Sequence, residues 1–437
     1  MRGGMKVLWF ADVQLPAVTG DPPTGGGWVE SLRRALEDLA PDIELGIAAP
    51  GSVTHAPFSS GNATYFHIAE REVEGRAAGL VDRWRHSALP DGALASCVAI
   101  AKSFAPEVIH VHGAEHYFGL VAPLADAPCV ISLQGIATVL ERYQFSGLRW
   151  SEALREVPSQ SFLRGYGPIH RYWSMRSRAI LERRIMGACD HFMGRTQWDA
   201  DVLRVLRPGA QYHEVGELLG TAFYETSWSG PPANDDVLFC TAGASPLKGV
   251  ECLLEALILR RRAGEKAVRL RLAGPVVDGA LARKIAALLA APELRGSVDV
   301  LGRCSPDVIA AELACASAFA LPSHMDNSPN SLCEAMLVGT PCIAAFVGGV
   351  PSLVRDGVDG LLYHDSDPFA LAGKVERLLG DHDLARRLGA EARATARRRH
   401  DPQRIVASLV ATYREIRGGA PERGDDTCTA EVEELQT

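Results

Sequence analysis

The chain is predicted to fold as two doubly wound α/β domains that face one another across a cleft. Short apolar strand-like runs alternate with amphipathic helical stretches, and the alternation starts afresh near Val237. A length of 437 residues is long for one core and comfortable for two.

In the first series, residues 7–11 form an apolar strand, and a loop through Gly25, Gly26 and Gly27 follows. The next helix carries Val29, Leu32, Leu36 and Leu39 at helical spacing. Further strands are expected at 43–49, 108–112, 129–133 and 191–194. The second series has strands at 237–240, 270–273, 298–301, 318–321, 342–345 and 360–363. Its parallel alternation puts helices on both faces of each sheet and ligands at the carboxyl ends of the strands. The first domain should span 1–225, with an insertion at about 141–184, and the second 237–400. Between them, 226–236 is rich in Ser, Gly, Pro and Asn and reads as a linker. A helix at 401–417 should pack back on the first domain, and the acidic stretch 418–437 is expected to be disordered.

Composition narrows the function classes. A net charge of −8 gives no global attraction to nucleic acid. No apolar run reaches the roughly 18 residues of a membrane span, and the first residues lack the apolar core of a signal peptide. The ten cysteines include no C-x-x-C pair and several lie in apolar runs (Cys129, Cys240, Cys315, Cys342), as expected of reduced core residues in a cytoplasmic protein.

The most informative segment runs from Pro322 to Pro341. After the strand 318–321 come a loop at 322–330 and a helix at 331–338, stopped by Gly339 and Pro341. Asp326 hangs on the loop, and Glu334 sits about one turn into the helix. Between them lie the free N–H groups of a helix start, which suit a phosphate. Two carboxylates flanking an anion site fit a ligand with hydroxyls and phosphates, such as a nucleotide sugar. The competing reading is local: Ser331-x-x-Glu334 is also a capping box, in which Glu334 only bonds the Ser331 amide.

Asp326-x7-Glu334, preceded by Pro322-Ser323 and continued by Ala335-Met336-x-x-Gly339-x-Pro341, resembles the donor-site signature of the retaining GT-B glycosyltransferases of family GT4. That family usually has glutamate at both ends, so Asp326 is one methylene shorter. Ala242 to Gly249 resembles the family's Gly-Arg-Leu-x-x-x-Lys-Gly segment. Lys248 matches its diphosphate-neutralising lysine, whereas Gly243 stands at the arginine position. Gly348-Gly349-Val350-Pro351 and Asp356-Gly357-x-x-Gly360-Leu361-Leu362 are similar to the family's closing turns, and Gly302 and Arg303 fall where it holds the base. In the first half, Gly26 and Gly27 match the loop that meets the donor phosphates. The family's strand-end histidine is replaced by Gln134.

The resemblance implies two facing Rossmann-like domains and transfer of a sugar, with retention, from a nucleotide-diphosphate sugar to an acceptor hydroxyl. The acceptor would be a sugar, glycolipid or small molecule, and bacterial polysaccharide or glycolipid biosynthesis the setting. Asp326, Lys248 and Glu334 take the catalytic roles. The donor site adds Gly26, Gly27, Gly243, Gly302, Arg303, Ser328, Asn330, Ser331 and Leu332. His112, Gln134 and Arg195 are candidates on the acceptor side, Arg195 against the alternative of a surface salt bridge. No metal or other cofactor is expected, and no nucleic-acid partner. His110, His112 and His116 have the residue types for zinc, but no acidic or cysteine partner supports a site. Two alternatives stay open: a nucleotide-sugar epimerase of the same fold, and a non-catalytic sugar-nucleotide-binding subunit, raised by Gly243, Gln134 and Asp326. The span 141–184 has nine arginines against four glutamates, interleaved with aromatics. This suits an acceptor-facing surface at the inner face of a membrane, or solvated helices covering the first sheet.

Overall fold

The computed structural model describes residues 4–13, 27–50, 57–70, 76–154, 159–232, 236–241, 245–274 and 280–419. Gly26, Gly243 and the acidic stretch from 420 onward lie outside the described residues.

The first sheet comprises β1 (Met5–Ala11), β2 (Ile43–Pro50), β3 (Phe58–Ser60), β4 (Ala63–Ile68), β5 (Val108–His112), β6 (Cys129–Ser132), β7 (His191–Gly194) and β8 (Gln211–Glu214). Its order is β3-β4-β2-β1-β5-β6-β7-β8, parallel except for β3 against β4. The second sheet comprises β9 (Val237–Cys240), β10 (Arg269–Ala273), β11 (Val298–Gly302), β12 (Ala318–Leu321), β13 (Cys342–Ala345) and β14 (Leu361–Tyr363). Its order is β11-β10-β9-β12-β13-β14, all parallel. Strand order therefore reverses between β1 and β5 and between β9 and β12, and a crevice opens at each reversal. Three strands, β3, β4 and β8, were not expected. β3 and β8 are short edge strands, and β8 has the polar sequence Gln-Tyr-His-Glu.

The helices that place the site are α1 (Gly27–Leu39), α2 (Pro168–Gly187), α3 (Gln197–Leu206), α4 (Val250–Arg262), α5 (Asn330–Val338), α6 (His382–Arg399) and α7 (Pro402–Gly418). α1 buries Val29, Leu32 and Leu36 as its spacing requires, but Leu39, at its last position, is exposed. Cys315, expected in the core, is exposed too.

α7 returns to the first domain. Its Leu409, Tyr413 and Ile416 pack into a core with Trp9, Val29 and Leu36. There the Tyr413 hydroxyl accepts from Trp9 Nε1 at 3.0 Å and lies 2.7 Å from His110 Nδ1. The arginine-rich span makes a contact that was not expected. Its tip at Gly147 meets the second domain: Lys284 Nζ donates to the Gly147 carbonyl at 2.9 Å, and Leu148 packs on the second core. At its base, the buried Glu182 of α2 accepts from the Ala137 and Thr138 amides at 2.7 and 2.8 Å. No helix among the described residues is long and apolar enough to cross a membrane.

Candidate active site

β12 is buried along its whole length, so the chain leaves it at the sheet's carboxyl edge, beside the end of β9. The loop that follows is tied to the loop after β9, with the His324 amide donating to the Leu247 carbonyl at 2.9 Å. Gly249 makes this approach feasible. Its φ is +60°, and a Cβ there would stand 1.9 Å from the Pro322 carbonyl oxygen. Lys248 and Asp326 are thereby joined: Lys248 Nζ donates to Asp326 Oδ2 at 2.7 Å, and Ser323 Oγ reaches the same oxygen at 3.2 Å. The Gly348-Gly349 turn closes on the far side. A Cβ on Gly348 would lie 2.0 Å from the Asp326 carbonyl oxygen, and one on Gly349 2.1 Å from that of Asn327.

α5 begins at Asn330 with Pro329 as its N-cap, and no side chain caps it. Ser331 is inside the helix rather than at its cap, so the capping-box reading fails. Glu334 has no hydrogen-bond partner among the described residues, and burial pushes its carboxyl up to about 7. Leu332 is buried, and Asn330 Oδ1 is buried without a partner. Gly302 closes β11 with φ +69°, and Arg303 beside it is exposed. Gly27 is the first residue of α1, with open space where a Cβ would stand.

The neighbours of Asp326 reach across to the first domain. Asn327 Oδ1 accepts from Thr196 Oγ1 at 2.8 Å, and its Nδ2 donates to Asp199 Oδ2 at 3.2 Å and the Gln134 carbonyl at 3.3 Å. Ser328 Oγ donates to Glu217 Oε1 at 2.8 Å. Arg195 pairs with the other oxygen of Glu217 at 3.3 Å and lies over the Trp28 ring at 5.3 Å. This ion pair is buried, not a surface one. Burial works to raise the Glu217 carboxyl, but Arg195, His400 and Arg399 overcome it and hold it below the usual range.

Across the cleft, a cavity of about 120 Å³ lies where the first sheet reverses, lined by Asp12, Trp28, His112, Glu115, His116 and Gln134 among others. Both His112 nitrogens are buried without partners, and burial, then His110 and Arg195, keep that ring neutral. Glu115 Oε2 is also buried and unpartnered, and burial pushes its carboxyl up to about 7. Glu115 escaped the sequence reading. Its only signal is a position three residues beyond His112, past the end of β5. His110 is satisfied by Tyr413 and by Ser132 at 2.6 Å, so the histidine trio shares no common ligand position.

A second missed group lies in the loop that carries Asp326. His324 lies between Glu251 of α4, 2.6 Å from Nε2, and Asp365, 2.7 Å from Nδ1, with Ser366 Oγ at 3.1 Å. Burial disfavours its charge, but the bonds to Asp365 and Glu251 prevail and raise it to about 9.

Residues 227–395 match the family model of the glycosyl transferases group 1. That match covers the second domain, and the two facing sheets of the chain are the GT-B fold. A D-inositol 3-phosphate glycosyltransferase of Streptomyces bingchenggensis is 31% identical over 243 residues, covering 51% of this chain and 52% of that protein. One from Streptomyces griseus is 37% identical over 165 residues, covering 35% and 33%. The chain thus spans about half the length, or less, of these curated relatives. Among solved structures, sucrose-phosphate synthase of Thermosynechococcus elongatus has a TM-score of 0.72 at 18% identity, covering 95% of this chain and 100% of that one. HepE of Anabaena, solved with UDP, has a TM-score of 0.62 at 18% identity, covering 94% and 100%. At such identities the likeness establishes the fold.

Proposed function

We propose that this protein transfers a sugar, with retention and without a metal, from a nucleoside diphosphate sugar to an acceptor hydroxyl in polysaccharide or glycolipid biosynthesis. The observation that carries the reading is the Lys248–Asp326 pair beside the uncapped start of α5, at the reversal point of the second sheet. Lys248 and the helix amides meet the diphosphate as its bond to the anomeric carbon breaks and negative charge develops. Asp326 accepts a hydroxyl of the donor sugar, and Glu334 accepts the ribose hydroxyls. The acceptor oxygen bonds the anomeric carbon on the face the diphosphate leaves, and its proton passes to the departing phosphate oxygen. Resemblance of the signature to the retaining family supports the stereochemistry. On the other wall, Glu115 and Gln134 offer partners for an acceptor hydroxyl, which fits the phosphorylated polyol for which the curated relatives are named.

Glu334 tests the donor half. A ribose hydroxyl donates best to an ionised carboxylate, so binding of a bare nucleoside should weaken as pH falls through about 7. Glu334→Gln should abolish that pH dependence and lower turnover about tenfold or more, while leaving the melting temperature in place. Normal turnover with reduced stability would return Glu334 to a structural role. Donor hydrolysis to free nucleoside diphosphate separates an enzyme from a binding subunit, and full activity is expected in EDTA. Loss of activity in EDTA, restored by a divalent ion, would overturn the metal-free mechanism. Anionic-vesicle binding that falls with salt would assign a glycolipid acceptor, and its absence at low salt a soluble one.

A further inference from the structure

A larger cavity, about 480 Å³, lies where the ends of β7 and β8 meet the end of α6 and the start of α7. Four guanidiniums line it, from Arg195, Arg398, Arg399 and Arg404, against the single carboxylate of Glu214. Arg195 has its charge taken up by Glu217. Arg398 and Arg404 have no carboxylate partner among the described residues, and Arg399 acts on Glu217 through its field without a salt bridge to it. Arg398 donates to Thr395 Oγ1 at 3.2 Å, Arg404 to the Arg398 carbonyl at 3.4 Å, and Arg399 to the Arg195 carbonyl. Arg399 Nε is buried with no hydrogen-bond partner among the described residues.

Ordinary helix electrostatics accounts for only part of this. Arg398 and Arg399 stand in the last turn of α6, where a cation suits the negative end of the helix. Arg404 stands in the first turn of α7, where a cation opposes the positive end. Like charges gathered in one concavity repel one another, and an anion reverses the sign of that interaction. The forked guanidinium matches phosphate oxygens, and Thr395 and Ser408 add hydroxyl donors to the same walls.

We propose that this junction cavity binds the phosphoryl group of a small soluble molecule, at a site separate from Lys248 and Asp326. Its lining comes from the first domain, from the end of the second, and from the returning helix, so an occupant bridges the parts that must move together in any rearrangement of the cleft.

Pyrophosphate is the probe, titrated calorimetrically into the full chain in EDTA. Two equivalents are expected, one at each site. Lys248→Ala should remove the donor-site equivalent and leave the other unchanged. Arg398→Ser with Arg404→Ser should weaken the remaining one at least tenfold, with the melting temperature as control. Arg404→Ser alone, at an exposed position, should weaken it about threefold and guards against a misfolded double variant. A single equivalent that vanishes with Lys248→Ala would overturn the proposal, as would arginine variants that titrate like the wild type. Anionic vesicles that bind through these arginines while pyrophosphate does not would assign the cluster to a lipid surface and overturn it too. A single equivalent that survives Lys248→Ala and is lost with the arginines would count against the donor-site reading and leave the junction site standing.

Discussion

Lys248→Ala should weaken binding of the nucleoside diphosphate by about 1.5–3 kcal/mol, the range for a hydrogen bond to a charged group. Binding of the bare nucleoside should barely change, because the proposed role of Lys248 is toward the phosphates rather than the base or ribose. The structure adds a second effect. Lys248 holds Asp326 at 2.7 Å, and the Asp326 side chain is only 15% exposed. Removing the lysine leaves that carboxylate with Ser323 alone, so donor-sugar orientation suffers along with phosphate affinity. Turnover should therefore fall by more than the loss in affinity, a difference that saturating donor would reveal in kcat. Equal losses for nucleoside and nucleoside diphosphate would sink the assignment.

His324→Ala should destabilise the second domain by about 3–5 kcal/mol, because it strands the buried Glu251 carboxylate without its counter-charge. Glu251 is 2% exposed and His324 3%. The same group sets a pH dependence. Its folded value, about 9, lies above the ordinary 6.5, so its contribution is full below about 6.5 and fades as pH rises through 9. The wild-type melting temperature should fall across that interval, while His324→Gln, with no proton to lose, should flatten the slope. An unchanged slope in the glutamine variant would show that His324 is neutral in the folded protein.

The sequence revealed what is local. The central strands are buried on both faces and so read as short apolar runs; the edge strand β8 is polar and half exposed and gave no such signal. Asp326 and Glu334 could be singled out because a strand, a loop and a helix start lie next to one another in the chain, and Lys248 because it lies in a second such unit, 78 positions earlier than Asp326. The supports around them are not neighbours in sequence. His324 meets Glu251 73 positions away and Asp365 41 away, and Asn327 meets Asp199 across 128. No spacing rule links such residues: the second sheet brings the His324 group together, and the two facing sheets bring Asn327 to Asp199. The capping-box alternative failed for a local reason, since α5 takes Pro329 as its N-cap, two residues before Ser331.

The hydrogen bond between Trp9 and Tyr413 joins residues 404 positions apart. A ribosome adding about 5–20 residues per second makes the two partners roughly 20 to 80 s apart. Throughout that interval the emerging first domain presents the apolar face that Leu409, Tyr413 and Ile416 later cover. Its maturation must wait until the whole second domain has been synthesised, which makes this face a natural station for a chaperone during translation.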